Sequence, residues 1–113
     1  MIIREIKFRA LYKNKWVYFT IDDLININHE SMTDEDYAIL NHDPNTRCQY
    51  TGNKDKNGKE VYEDDMVKNN CCIGYVWFFT GSWRIYSKTY GDIEFDGQWE
   101  IIGNKYENKD LLK

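Results

Sequence analysis

Oxygen-bearing side chains occupy alternate positions in the segment Asn53-x-Asp55-x-Asn57-Gly58. In EF-hand loops the same spacing, with oxygen ligands at positions 1, 3 and 5 and glycine at position 6, wraps calcium, and a glutamate at position 12 completes the site. Here position 12 is the shorter Asp64, position 1 lacks the usual carboxylate, and no helical pattern flanks the segment. We therefore interpret the segment as a tight hairpin turn of type I′, which an Asn-Gly pair favours, and keep calcium binding as the alternative.

The side chains that most often bind zinc are few and scattered. Zinc sites need about four Cys or His ligands with pairs at close spacing, whereas this chain holds only Cys48, Cys71, Cys72, His29 and His42. Adjacent residues of a strand point to opposite faces, so we expect the cysteine pair to place one thiol in the packed interior and one at the surface. An odd number of cysteines without regular spacing argues against a disulfide framework, and all three are predicted to be reduced. We predict no bound metal.

No motif of a catalytic site stands out. Nucleophilic catalysis needs a Ser, Cys or Thr held by a base, and neither histidine lies in a recognisable motif. A glycine-rich phosphate loop and a dinucleotide-binding fingerprint are both missing from the sequence. We therefore predict that the protein is not an enzyme, with no catalytic residues and no cofactor; an active site assembled from scattered residues is the alternative that the sequence leaves open.

Aromatic side chains make up 16% of the chain and concentrate in one segment. The segment contains Trp77, Phe78, Phe79, Trp83, Tyr86 and Tyr90, with Arg84 and Lys88 among them. Such a mixture on a small barrel could stack the bases of a single strand. However, most rings of so small a domain must build its core, and the exposed ones suit protein contacts. Our candidate binding residues are Trp77, Trp83, Tyr86, Lys54 and Lys56.

Charge is unevenly distributed along the chain, whose net charge is −4. Residues 1–19 hold five basic side chains against a single Glu, and residues 22–43 hold seven acidic side chains with no Lys or Arg. We interpret the acidic stretch as a solvated face, and the strongly basic footprint of a nucleic-acid-binding domain is absent. In the alternative interpretation the carboxylates imitate the phosphates of a nucleic acid and inhibit a nuclease. The candidate carboxylates are Asp34, Glu35, Asp36 and Asp43.

Length and composition predict one globular domain. The chain has 113 residues, of which 42% are hydrophobic and 30% are charged. No apolar run approaches the roughly 20 residues that span a bilayer, and the N-terminal segment is charged by its fourth residue, without the apolar core of a signal peptide. We expect a soluble protein of the cytoplasm that does not bind a membrane.

The spacing of apolar residues predicts the elements that position these candidates. Alternation over residues 2–11 predicts a strand, Lys13-Asn14-Lys15 predicts a turn, and the β-branched and aromatic run Trp16–Ile21 predicts the returning strand. Thr33 followed by three acids predicts a short helix over residues 33–40, which Pro44 ends. Further strands are predicted at Arg47–Thr51, Met66–Lys68, Ile73–Phe79, Trp83–Ser87, Ile93–Phe95 and Trp99–Ile102. The fold class is therefore mainly β, with a small barrel or strongly bent sheet.

Three blocks of sequence carry a resemblance to a known family. They are Arg4-Glu5-Ile6-Lys7-Phe8-Arg9-Ala10, the central run from Tyr50-Thr51-Gly52 through Lys54-Asp55-Lys56-Asn57-Gly58-Lys59-Glu60 to Val61-Tyr62-Glu63-Asp64-Asp65-Met66-Val67, and Ile101-Ile102-Gly103-Asn104-Lys105-Tyr106-Glu107-Asn108. In this order they resemble the YopX family of phage and prophage proteins. The stretch between Val17 and Arg47 matches nothing in the family pattern.

The resemblance implies a fold and leaves the activity open. It implies a single domain over residues 1–113, in which residues 47–113 form an SH3-like β-barrel and residues 1–46 add the hairpin and the acidic helical insert. The family motif residues are interpreted as fold determinants: Tyr50, Thr51, Gly52, Asp55, Asn57, Gly58, Tyr62, Asp65, Val67, Gly103, Asn104 and Tyr106. Asp64 departs from the family pattern, which has glycine there. If the position has positive φ, Asp is among the few residues that tolerate it.

Our leading hypothesis is a phage accessory protein that acts by binding a host or phage protein in the bacterial cytoplasm. Barrels of this kind expose edges and loops, and a free strand edge also makes a homo-oligomer plausible. The first alternative is a nucleic-acid-binding barrel that uses the aromatic cluster with Lys54, Lys56 and Lys59. The second is an acidic inhibitor of a host defence nuclease.

Overall fold

The computed structural model describes residues 6–108, and the chain divides into two compact units between Tyr50 and Thr51. The predicted division, between residues 46 and 47, lies close to this boundary. Each unit has its own cluster of buried apolar side chains. The prediction of a single domain over the whole chain stays a prediction.

The first unit begins with an antiparallel hairpin. β1 (Phe8–Tyr12) pairs with β2 (Lys15–Phe19). Lys13 and Asn14 connect the strands with φ values of 49° and 66°, as a two-residue type I′ turn requires. The predicted N-terminal hairpin is confirmed, although residues 2–5 of the predicted first strand lie outside the described residues.

Two short helices follow, and only the second agrees with the sequence-based prediction. α1 (Ile21–Ile25) begins where the second strand was predicted to continue, so the predicted end of that strand at Ile21 is wrong. The reason is a capping box: the Thr20 hydroxyl accepts a hydrogen bond from the Asp23 backbone N–H, and the Asp23 carboxylate accepts one from the Thr20 N–H. These bonds satisfy N–H groups that a helix start leaves without partners.

α2 (Asp34–Leu40) confirms the predicted helix, with Thr33 and Asp36 forming a second capping box. Pro44 does not end it. The helix ends at Leu40, and Pro44 instead opens a short 3₁₀ turn over Pro44–Thr46, a position at which its missing N–H costs nothing. The buried apolar cluster of this unit is formed by Ala10, Phe19, Ile27 and Ile39.

β3 (Cys48–Lys54) starts in the first unit, where its first residues pair with β1, and ends in the second. β4 (Glu60–Tyr62) is its neighbour after the hairpin at residues 55–58. Five strands then form the main sheet of the second unit: β5 (Asp65–Lys68), β6 (Ile73–Phe79), β7 (Ser82–Ser87), β8 (Gly91–Glu94) and β9 (Glu100–Asn104).

The main sheet is antiparallel, in the order β8-β7-β6-β5-β9. One of its faces carries the core of the second unit, formed by Val61, Val67, Val76, Ile85 and Trp99. The predicted mainly β fold is confirmed, and the strand predicted at Ile93–Phe95 begins earlier, at Gly91. The SH3-like barrel stays a prediction. Among residues 6–108 no helix is long and apolar enough to cross a membrane.

Candidate functional site

The calcium-like segment is a hairpin held together by Asp55. This buried carboxylate accepts hydrogen bonds from the backbone N–H groups of Asn57 (2.8 Å), Lys59 (2.9 Å) and Ile101 (3.0 Å). Burial by itself raises the pKa of Asp55, but the three N–H donors and the charge of Lys59 outweigh burial and hold the pKa below its ordinary value. The Asp55 carboxylate therefore acts as a backbone anchor.

The hairpin turn is confirmed, but its predicted type is wrong. Gly58 has a φ of 83°, whereas Asn57 keeps a negative φ, and a type I′ turn needs positive φ at both positions. The Gly58 N–H donates to the Asp55 carbonyl at 3.0 Å, and the Asp55 N–H donates to the Lys59 carbonyl at 2.8 Å. This is the three-residue loop that ends in a glycine bulge.

Asp64 occupies the left-handed region, with a φ of 68°, which is the condition under which Asp was expected to be tolerated at this position. Its carboxylate accepts a hydrogen bond from the Tyr106 hydroxyl at 2.8 Å and lies 3.5 Å from the Lys105 ammonium. An aspartate at this position therefore makes contacts that a glycine would lack.

Most of the remaining family motif residues hold turns or build the interior. Tyr62 and Val67 are buried, and the Asp65 carboxylate accepts a hydrogen bond from the Tyr62 N–H. The Asn104 side-chain oxygen accepts from the N–H groups of Tyr106 and Glu107. The Thr51 hydroxyl donates to the Val61 carbonyl, Gly52 has a φ of 84°, and Tyr50 is buried.

The potential metal ligands do not gather. Cys48 is buried, Cys71 is exposed, and Cys72 packs against the core of the second unit, so the adjacent cysteines divide between interior and surface as expected. His42 accepts hydrogen bonds from the Arg47 guanidinium. Within residues 6–108, no three His, Cys, Asp or Glu side chains are placed to hold one metal ion.

The candidate surface lies on the face of the main sheet opposite its core. Successive residues of a strand alternate between faces, and Val76 and Ile85, which face each other across β6 and β7, are fully buried. The intervening residues therefore point outward. Four of them are aromatic and define the outer aromatic face: Tyr75, Trp77, Phe79 and Tyr86.

The rings of the outer aromatic face contact one another. Trp77 and Phe79 stack with centroids 4.6 Å apart and planes 7° from parallel. Tyr86 meets Trp77 edge-on at 5.6 Å and lies 5.5 Å from Tyr75. Phe79 is 41% exposed and Tyr86 38% exposed, so the cluster presents aromatic surface to solvent.

The structure separates the five predicted binding residues. Trp77 and Tyr86 lie together on the outer aromatic face, whereas Trp83 points the other way and packs against the core, with its ring 5.0 Å from that of Phe78. Lys54 ends β3 and Lys56 lies in the Asp55 hairpin, where its backbone N–H donates to the Trp99 carbonyl. Two of the five, Trp77 and Tyr86, thus lie on the outer aromatic face.

Carboxylates pair with most of the cations near this surface. Arg84 stands across from Trp77 in the strand register, and its guanidinium donates to both oxygens of Asp92, at 2.9 and 3.1 Å. Lys56 and Lys68 both approach Glu100, at 3.8 and 3.9 Å. Positive and negative charges around the aromatic rings are therefore close to balanced in number.

Sequence reasoning missed Tyr75 as part of the surface, although it lies two residues before Trp77 and so on the same strand face. The alternation of successive β6 residues between the two faces of the sheet is the sequence pattern that identifies Tyr75.

Comparison with protein families matches residues 7–113 to the family described as YopX protein. Curated proteins give no match to this chain. The family match covers both compact units and nearly all of the sequence. The chain therefore belongs to the YopX family.

Proposed function

We propose that this chain is a non-catalytic binding module that contacts another protein through its outer aromatic face. The observation that carries the proposal is the cluster of four touching rings, two of them more than a third exposed, on the solvent side of the main sheet. Exposed aromatic clusters of this kind are uncommon on monomers unless they bind something. Tyr, Trp and Arg, which supply most binding hot spots, meet here as Tyr86, Trp77 and Arg84.

The charges around the rings favour protein over nucleic acid. A nucleic-acid surface combines stacking rings with a positive groove that follows the phosphates. Here Arg84 is neutralised by Asp92, Glu94 follows on the same edge strand, and the chain as a whole carries −4. Phosphates passing over the rings would therefore meet Glu94 and find the charge of Arg84 already paired.

The acids of the first unit have a local structural role. Asp23 and Asp36 cap α1 and α2, and Asp34 and Glu35 lie in the first helical turn, where negative charge stabilises a helix. This role accounts for the position of most of the acidic stretch without invoking phosphate mimicry.

Family membership supports the biological setting of the proposal. We place the protein in the cytoplasm of a bacterial host as a phage or prophage accessory factor whose partner is a host or phage protein. A second copy of the chain is the other protein that the same face could bind.

Affinity capture tests the proposal. Tagged protein is incubated with lysate of phage-infected bacteria, with and without nuclease, beside a Phe79→Ser variant that removes an exposed ring of the face. A protein that survives nuclease treatment and is lost with Phe79→Ser is the expected result. Capture that disappears with nuclease, or that Phe79→Ser leaves unchanged, overturns the proposal. Sedimentation of the purified chain identifies self-association.

A further inference from the structure

An open groove of about 970 Å³ adjoins the outer aromatic face. It is formed by the end of β5, the connection that follows, the start of β6, and residues of β7 and its C-terminal turn. Tyr75 and Tyr86 line the groove and also belong to the outer aromatic face. The two surfaces are therefore continuous.

Three lysines line the groove, in a chain that is acidic overall. They are Lys68, Lys88 and Lys105, and none of the lining residues is an Asp or Glu, whereas the whole chain carries 19 acidic against 15 basic side chains. Glu100 and Asp64 lie outside the lining but close to Lys68 and Lys105, so the positive charge of the groove is carried mainly by Lys88. A positive charge of this kind favours anionic ligands.

The ammonium group of Lys68 can turn toward a ligand at low cost. It lies 3.9 Å from Glu100, in a pair of which 51% and 33% of the side chains are exposed, and exposed pairs of this kind contribute only about 0–1 kcal/mol. Lys105 lies 3.5 Å from the Asp64 carboxylate, of which 17% is exposed, and is held in place more firmly. Lys88 is exposed and forms no ion pair within residues 6–108.

Apolar surface lies directly beside the charges. The Lys105 ammonium sits 4.5 Å from the centre of the Tyr75 ring, and Ile73, at the start of β6, is 45% exposed. A ligand that matches the groove therefore carries carboxylates and apolar side chains in alternation. An acidic peptide segment has this chemistry.

We propose that the groove binds an acidic, extended segment of the partner protein, with the segment's carboxylates paired to Lys68, Lys88 and Lys105 and its apolar side chains packed on Tyr75 and Tyr86. The inference rests on the proposed function and names the chemistry of the partner. A peptide fits better than a nucleic-acid strand, because an aliphatic side chain of a peptide can pack on the exposed Ile73 of the groove, and a nucleic acid carries no side chain of this kind.

Fluorescence anisotropy with synthetic probes tests the groove. The probes are a labelled peptide that alternates Glu with Leu, the same peptide with Gln for Glu, the same peptide with Lys for Glu, and a labelled oligothymidylate of equal length. We expect the Glu peptide to bind the wild-type chain at least about tenfold more tightly than the Gln peptide, with an affinity that falls as salt is added.

Matched variants locate the binding. Lys88→Glu should weaken the Glu peptide by about tenfold or more and gain affinity for the Lys peptide, since it reverses one charge in the groove. Lys15→Glu makes the same change at an exposed position outside the groove and should leave both affinities unchanged. Equal thermal midpoints of the variants show that they are folded.

Four results overturn the groove assignment: no binding of the Glu peptide, equal binding of the Glu and Gln peptides, equal effects of Lys88→Glu and Lys15→Glu, or displacement of the Glu peptide by the oligothymidylate, which assigns the groove to nucleic acid. Failure here is distinguishable from failure of the proposed function. If Lys88→Glu still captures the protein partner and Phe79→Ser does not, the groove assignment falls and the outer aromatic face stands.

Discussion

The carboxylate of Asp55 accepts a hydrogen bond at 3.0 Å from the backbone N–H of Ile101, a residue 46 positions further along the chain. The same carboxylate holds the hairpin through the N–H groups of Asn57 and Lys59. One buried side chain therefore ties the hairpin to the edge strand β9. Removing its charge tests how much the second unit depends on this link.

Asp55→Asn should lower the free energy of unfolding at pH 7 by about 2 kcal/mol, because the amide group cannot accept from all three N–H donors and leaves one without a partner. Asp96→Asn is the control, since Asp96 is exposed and accepts one backbone hydrogen bond that Asn can also accept. The control should change stability by less than about 0.5 kcal/mol. Urea titration measures both, and equal losses would contradict the anchoring role.

The lowered pKa of Asp55 also predicts a pH dependence. The ionised carboxylate contributes its full stabilisation above its unfolded pKa, about 3.9, and this contribution is lost as pH falls through the lower folded pKa. The difference in unfolding free energy between wild type and Asp55→Asn should therefore be constant above about pH 5 and shrink below about pH 4. A difference that stays constant down to pH 2 would rule out the pKa assignment.

Gly74 lets β6 and β7 approach closely. A Cβ atom at this position would lie 2.6 Å from both the Ile85 Cγ2 and the Tyr86 carbonyl oxygen. Gly74→Ala should therefore cost about 3 kcal/mol, since backbone cannot move aside as a flexible side chain can. Gly97→Ala, where an added Cβ meets no atom within 4 Å, should leave the urea midpoint unchanged or slightly higher. A tolerated Gly74→Ala would be inconsistent with the β6–β7 register.

Asp64 combines a strained backbone with useful contacts. Asp64→Ala should lose about 2 kcal/mol, because alanine keeps the positive φ and abolishes the hydrogen bond to Tyr106. Asp64→Gly should stay close to wild type, since relief of the backbone strain offsets the lost bond. Denaturation of the two variants shows directly which of them is more stable. Equal stability of the Ala and Gly variants would show that the backbone conformation carries no cost.

Trp83 and Phe79 lie in the same hairpin on opposite faces of the sheet, and their substitutions should separate stability from binding. Trp83→Ala removes a ring packed on the core and should cost about 3 kcal/mol. Phe79→Ser removes an exposed ring that stacks on Trp77 and should cost at most about 1 kcal/mol. Equal losses of stability would place both rings in the core and remove the outer aromatic face as a separate surface.

Local patterns predict the N-terminal hairpin, α2 and most strands of the main sheet, because turn residues and alternation are encoded over a few positions. The sequence-based prediction missed α1 because two local signals compete at the same residues. The β-branched run up to Ile21 favours a strand, and the competing signal, the capping pair Thr20 and Asp23, prevails because it satisfies the N–H groups at the helix start.

The composition of the candidate surface depends on register. Trp77 and Trp83 lie on opposite faces because Phe78 stands opposite Trp83 in the β6–β7 hairpin. The two-residue turn at Thr80 and Gly81, with φ values of 50° and 85°, fixes this register. The position of Lys56 depends on a hydrogen bond to Trp99, a contact between distant parts of the chain. Contacts of that kind are not encoded in residue spacing.

The central claim is that the outer aromatic face binds a protein, and the most direct test is the affinity of the captured partner for three purified chains. These are wild type, Phe79→Ser, and Tyr90→Ser, in which the removed ring is 62% exposed and lies outside the face. The claim predicts that Phe79→Ser weakens binding by at least about tenfold, as hot-spot substitutions do, and that Tyr90→Ser binds as wild type does. Equal affinities of all three chains would contradict it.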